Sequence, residues 1–228
     1  MSFSTFFGNI GMLLSRYWHV FVLEGVRYTL LLAAITVVGG AVLGSLFALG
    51  KMGKIRPLKW LIGAIVEVVR GTPMLLQLYA GVFMLPRLFP ILNELPDIVS
   101  VTIVLIINSA AYTSEIIRSG IQAVDIGQTE AARSLGLSER TTMLHVVLPQ
   151  AVKNILPALG NEFITVIKET SLVSTFFAGD LMTSYLKVKG VTYLTMECLI
   201  IVGVLYFVLT FVLSKLVSAY ERRLKQSD

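Results

Sequence analysis

Five ionisable residues lie inside stretches of chain that are otherwise apolar: Glu67, Arg70, Glu162, Lys168 and Glu169. Charge is expensive in hydrocarbon, so such residues mark ion pairs, pathways or binding sites. Glu162 and Glu169 are seven residues apart and share a helical face, with Asn161 and Lys168 forming the adjacent stripe. These types suit a zwitterion: Glu162 accepts from an ammonium, and Lys168 donates to a carboxylate. An acid at this place also suits a cationic side chain such as that of arginine, lysine or histidine. The competing reading is a purely structural one, in which Glu162 only pairs with Lys168 or Arg70 across a helix bundle.

Two further groups are polar where their surroundings are not. Glu67 and Arg70 stand three apart and can meet on one helix. Gly71, Thr72 and Pro73 follow at once and must break that helix. Broken backbone at membrane depth is tolerated only against protein or a water-filled cavity. Gly71 and Thr72 are therefore candidates for the wall of a substrate path, with amides that can serve a carboxylate. Asn108, Tyr112 and Glu115 fall on one face by three- and four-residue steps. Asn108 reads either as substrate contact or as interhelical glue.

No catalytic set emerges. The lone cysteine, Cys198, excludes an intrachain disulfide, and His19 and His145 are far apart in sequence, so neither a metal site nor a bound cofactor is expected. No G-x-x-x-x-G-K-[ST] phosphate loop occurs. An intramembrane enzyme would need a nucleophile and base at spanning depth, and none is seen.

The elements that position these residues follow from composition. Of 228 residues, 55% are hydrophobic and 14% charged, with a mean hydropathy of +0.79. Soluble domains are roughly 25% charged, so the chain is expected to be an all-α integral membrane protein. A spanning helix takes about 20 apolar residues. Five spans are expected at about residues 26–50, 58–84, 98–118, 154–178 and 194–216, the second and fourth interrupted by the polar groups above. Residues 1–20 lack the basic start and cleavage site of a signal peptide and read as a helix lying in the membrane interface. The whole of residues 1–228 reads as one transmembrane domain.

Orientation follows from Lys and Arg. Twelve fall after the first span, after the third and at the C-terminus, against five on the other side. The positive-inside bias puts the N-terminus outside and the C-terminus in the cytoplasm. Gly40 and Gly44 form a G-x-x-x-G on the first span that reads either as packing within the chain or as a dimer face.

The longest polar stretch lies between the third and fourth spans, with residues 127–149 at its centre. Thr129 is expected to cap a short helix carrying Glu130, Ala131 and Ala132, with Gly136 at its left-handed end. Ser138 is expected to cap a second run that ends or kinks near Pro149. Its pattern of Glu130-Ala131-Ala132, Gly136, Val146 and Leu148-Pro149 resembles the EAA loop of permease subunits of bacterial ABC importers, with Val146 in place of Ile. The segments from Glu67 to Pro73, Asn108 to Tyr112, Glu115 to Asp125 and Leu159 to Phe163 look like the polar amino-acid permease family over roughly residues 20–225.

The resemblance implies a subunit of the bacterial cytoplasmic membrane with five spans, paired with a second copy or a paralogue. It implies two ATPase subunits that hold ATP and magnesium and dock on the EAA helix through Glu130, Ala131, Ala132, Gly136, Leu148 and Pro149. It further implies an external binding protein that delivers a polar amino acid, and alternating access as the mechanism. The competing function is an ion-coupled secondary amino-acid transporter. That reading leaves the EAA-like loop unexplained.

Overall fold

The computed structural model describes residues 3–225, so the first two residues of the expected N-terminal helix lie outside it. Every regular element among the described residues is helical. Helix α1 (Phe3–Trp18) passes through a π-helical stretch, His19–Val26, into α2 (Arg27–Met52). Helix α3 (Arg56–Arg70) and α4 (Met74–Leu88) follow, then α5 (Asp97–Gln122). Two short helices, α6 (Ile126–Ser134) and α7 (Glu139–Thr142), lead through a π-helical turn, Met143–Val147, into α8 (Leu148–Glu169). A 3₁₀ segment, Thr170–Phe176, connects to α9 (Leu181–Thr192), and α10 (Thr195–Lys225) closes the chain.

Among the described residues, three helices are long and apolar enough to cross a bilayer: Ser4–Met52, Asp97–Gln122 and Thr195–Leu224. They contain the stretches expected as the first and third spans and overlap the fifth from Thr195 on. The expected second span is α3 and α4, which pass the same test only together and are bent by 111°. The bend falls at Gly71, Thr72 and Pro73, where Pro73 leaves the helical region with ψ 136°. Helix α8 carries Lys153, Glu162, Lys168 and Glu169 and is not among the apolar set.

The segment read from sequence as a separate helix is joined to the first span without a loop. The continuous helix of 49 residues is roughly 70 Å long at about 1.5 Å per residue, more than twice a hydrocarbon core of about 30 Å. Leu13 and Phe21 are fully buried among Leu181, Tyr185, Cys198 and Ile201, so the N-terminal part packs on α9 and α10. Asn9 donates to Glu197 Oε1 at 2.9 Å within the same layer.

Glycine sets the close contact between α2 and α5. A Cβ on Gly40 would lie 2.5 Å from Ser109 Oγ, and one on Gly44 would lie 2.8 Å from the Ala110 carbonyl oxygen. The G-x-x-x-G therefore lets α2 and α5 approach within this chain. Lipid offers no hydrophobic drive between helices, so close van der Waals contact over small residues has to hold them. The opposite face of α2 is apolar and exposed, with Val38, Val42 and Leu46 each about 60% accessible or more, which suits lipid.

Candidate functional site

The polar loop folds around two caps. Helix α6 starts at Asp125, whose Oδ1 accepts from the Gly127 amide at 2.7 Å. The expected cap, Thr129, lies inside the helix instead, because α5 ends early enough for Asp125 to take that role. At the other end Gly136 has φ +83°. The Leu137 amide donates to the Ala132 carbonyl at 3.2 Å and the Gly136 amide to that of Arg133 at 3.0 Å. This is the Schellman closure that a left-handed glycine permits. Ser138 caps α7 as expected, accepting from the Thr141 amide at 3.1 Å.

Pro149 does not end the following run. Proline lacks an N–H and its ring crowds the carbonyl four residues earlier, and here the preceding turn widens into the π-helical Met143–Val147 so that the helix passes through. On α6, Glu130 and Ala131 are exposed while Ala132 is buried. Ile126 and Leu135 stand out to solvent at 70% and 82% accessibility. The result is a short helix, capped at both ends, that presents an exposed acid, a small residue and an apolar side chain at either end.

The break between α3 and α4 is held from inside. Gln77, in the first turn of α4, puts its amide nitrogen 2.6 Å from the Val69 carbonyl, 3.0 Å from the Thr72 carbonyl and 2.9 Å from Thr72 Oγ1. Its oxygen accepts from Asn108 Nδ2 of α5 at 2.9 Å. Carbonyls freed by a broken helix must find partners where water is excluded, and Gln77 is that partner. Asn108 thus acts as glue between α5 and α4 in this conformation. The Gly71 amide is already given to the Glu67 carbonyl at 2.8 Å, which removes one of the two donors considered for a substrate carboxylate.

Arg70 does not pair with Glu67. Its guanidinium lies 5.5 Å above the Tyr112 ring and 3.8 Å from Glu115 Oε2, while Glu67 is exposed and makes no ion pair among the described residues. Glu115 also receives Lys51 of α2 and two bonds from Arg118, at 2.9 and 2.7 Å. One carboxylate thus joins three cations from α2, α3 and α5. Tyr112, read as a candidate for substrate, is the platform for Arg70.

Glu162 lies elsewhere. It is 8% exposed and makes no ion pair with Lys168 or Arg70 among the described residues. Its polar neighbour is Ser109 of α5, the residue that Gly40 admits against α2. Asn161 and Lys168 are exposed on α8 beside it. Asn108 and Ser109 are consecutive on α5 and serve different sides, so the candidates divide into two groups. Gly71, Thr72, Asn108 and Tyr112 gather at the break, and Asn161, Glu162 and Lys168 gather on α8.

Residues 27–226 match the family model described as "Binding-protein-dependent transport system inner membrane component". The chain belongs to this family. As an inner membrane component it has relatives along nearly its whole length. It is 41% identical over 208 residues to the arginine transport system permease protein ArtQ of Bacillus subtilis, covering 91% of this chain and 94% of that one. It is 36% identical over 227 residues to a probable glutamine ABC transporter permease protein, GlnM, of the same organism, covering both chains fully. A solved structure titled as an amino acid ABC transporter with histidines aligns with a TM-score of 0.85 and 42% identity, over 93% of this chain and 97% of that one.

Two residues that organise this inner membrane component carried weaker sequence signals. Gln77 is neutral and stands four positions past Pro73. A broken helix needs side-chain partners for its carbonyls, and a lone amide in the next turn is where to look. Glu115 was visible as part of a polar face, but the cations that meet it come from three helices.

Proposed function

We propose that this chain is the membrane-spanning subunit of an ATP-driven importer of an L-amino acid, and that the substrate has a basic side chain. The observation that carries the reading is Glu162: a buried carboxylate, free of any cation among the described residues, in a chain 41% identical to an arginine permease. An uncompensated acid at this depth is costly unless a cation visits it. The substrate ammonium or guanidinium is that cation, and the exposed Lys168 with Asn161 serves the carboxylate. Thr72, Gly71, Asn108 and Tyr112 line and hold the break beside the path.

In this reading the five spans are the long α1–α2 helix, the bent α3–α4 pair, α5, α8 with its 3₁₀ extension, and α10. The N-terminus is outside and the C-terminus cytoplasmic, in agreement with the excess of Lys and Arg at the inner ends. Helix α6 is the coupling helix. Glu130 and Ala131 meet the ATPase, the buried Ala132 seats the helix against its own chain, and Gly136 with Leu148 and Pro149 holds the helix at a fixed angle to α8. ATP and magnesium sit on the partner ATPase, and this chain performs no hydrolysis. A second permease copy or paralogue completes the path, and an external binding protein delivers substrate. ATP binding draws the two coupling helices together, the bundles rock about the midplane, and the site alternates between the two sides.

Proteoliposomes holding the complex of this chain, its ATPase and its binding protein test the function. Arginine uptake is expected only with ATP inside the ATPase-accessible compartment. Uptake driven by an ion gradient without ATP contradicts it.

A further inference from the structure

We propose that the cavity at the outer end of the bundle is a second, superficial amino-acid subsite, occupied before the substrate reaches Glu162. The inference rests on the transport reading above and adds a place to it. The cavity has a volume of about 660 Å³ and is walled by Glu24, Tyr28, Asp97, Phe177 and Lys187, among others. That volume lies within the roughly 300–1,000 Å³ usual for small-molecule sites.

Its chemistry matches an amino acid at both ends. Glu24 and Asp97 offer two carboxylates to an ammonium or a basic side chain, and Lys187 offers one amine to a carboxylate. The excess of acid favours a cationic substrate. Glu24 and Lys187 now hold each other at 3.0 Å, both about half exposed. An exposed pair of this kind is weak, so a zwitterion can replace it by giving each partner a new counter-charge. The Tyr28 and Phe177 rings supply faces on which a cation is attracted.

A second observation is independent of charge. Phe177 has φ +52°, is 72% exposed, and stands at the end of the 3₁₀ segment. A bulky residue in the left-handed region is strained, and strain of this kind collects at functional sites. Packing does not require it, since most of the ring is outside the core. The strain instead holds an aromatic face at the cavity wall. Gly179, at φ +90°, turns the chain back directly afterwards, with the Tyr28 ring 3.6 Å from where its Cβ would be. Two aromatic residues are thereby fixed on one wall.

The test uses the whole complex of this chain and its ATPase in nanodiscs, without binding protein. Ala178→Cys places a thiol on the cavity wall, and the native Cys198 is fully buried. Ile98→Cys reads the same wall if the first variant does not assemble. Maleimide labelling is followed against arginine concentration. Saturable protection is expected, unchanged by Glu162→Gln, weakened at least tenfold by Glu24→Gln combined with Asp97→Asn, and weaker with glutamate as the probe. Absence of protection, equal protection by glutamate, or its loss in Glu162→Gln overturns the subsite. ATP-driven uptake is measured on the same preparation with binding protein added. Its failure counts against the transport reading, whereas uptake without protection counts against the subsite alone.

Discussion

Asn108 on α5 donates its side-chain N–H to Gln77 on α4 at 2.9 Å, and through Gln77 it reaches the carbonyl oxygens left free where α3 breaks. A span interrupted by Gly71, Thr72 and Pro73 therefore does not hang loose. It is tied to the middle of the most buried helix by a single amide side chain.

Gln77→Ala removes that amide, leaving the Thr72 carbonyl without its side-chain donor and the Val69 carbonyl with only the Thr72 hydroxyl at 3.5 Å. Interhelical hydrogen bonds in membranes average about 0.6 kcal/mol, and a buried acceptor left unmade adds about 1–3 kcal/mol. The purified complex is expected to melt several degrees lower, with Asn108→Ala having the smaller effect. Equal stability of both variants and wild type in a detergent melting series argues against the clamp.

Gly44 and Gly63 give a paired control. Nothing lies within 4 Å of a Cβ on Gly63 in α3, whereas one on Gly44 would meet Thr113 and the Ala110 carbonyl. Gly63→Ala is expected to be neutral or stabilising by up to about 1 kcal/mol, since glycine is a poor helix residue. Gly44→Leu is expected to separate α2 from α5 and prevent accumulation in the membrane. Membrane levels by immunoblot decide it.

Glu115→Gln takes from Lys51, Arg70 and Arg118 the one acid they share among the described residues. Removing one partner of a part-buried cluster costs more than the pair was worth, because the cations remain. The variant is expected to be less stable than wild type, with Lys51→Met restoring part of the loss. No rescue by the second change would mean that the two residues act separately.

Helix α6, proposed above as the coupling helix, allows a cleaner separation of folding from coupling. Glu130 is exposed, so Glu130→Lys is expected to leave the spans folded while ATPase recovered by co-purification falls at least tenfold. Gly136→Arg adds left-handed strain of about 1–2 kcal/mol and is expected to do the same. Recovery of the ATPase at wild-type stoichiometry contradicts the coupling role.

Much of this arrangement is legible in the sequence. Apolar run length located the apolar stretches within the three long helices, small-residue spacing at Gly40 and Gly44 marked a close contact, and proline chemistry placed the break at residues 71–73. Gly136 was readable because so few residues accept its backbone angle. The rest was a matter of partners. Thr129 and Asp125 are both good caps, and which one is used depends on where α5 stops. Glu67 was as close to Arg70 in sequence as any acid, yet Glu115 and Tyr112 of another helix took it. The continuity of α1 with α2 is not visible in the sequence, because the chain stays helical through Gly25 by widening into a π-helical stretch.

The central claim is that Glu162 receives the substrate cation. The most direct measurement is concentration-dependent, ATP-driven arginine uptake by reconstituted wild type and Glu162→Gln, with ATPase coupling checked in both. At least a tenfold rise in the arginine concentration for half-maximal uptake, with assembly intact, is the predicted result. Unchanged arginine affinity and rate in Glu162→Gln would contradict it.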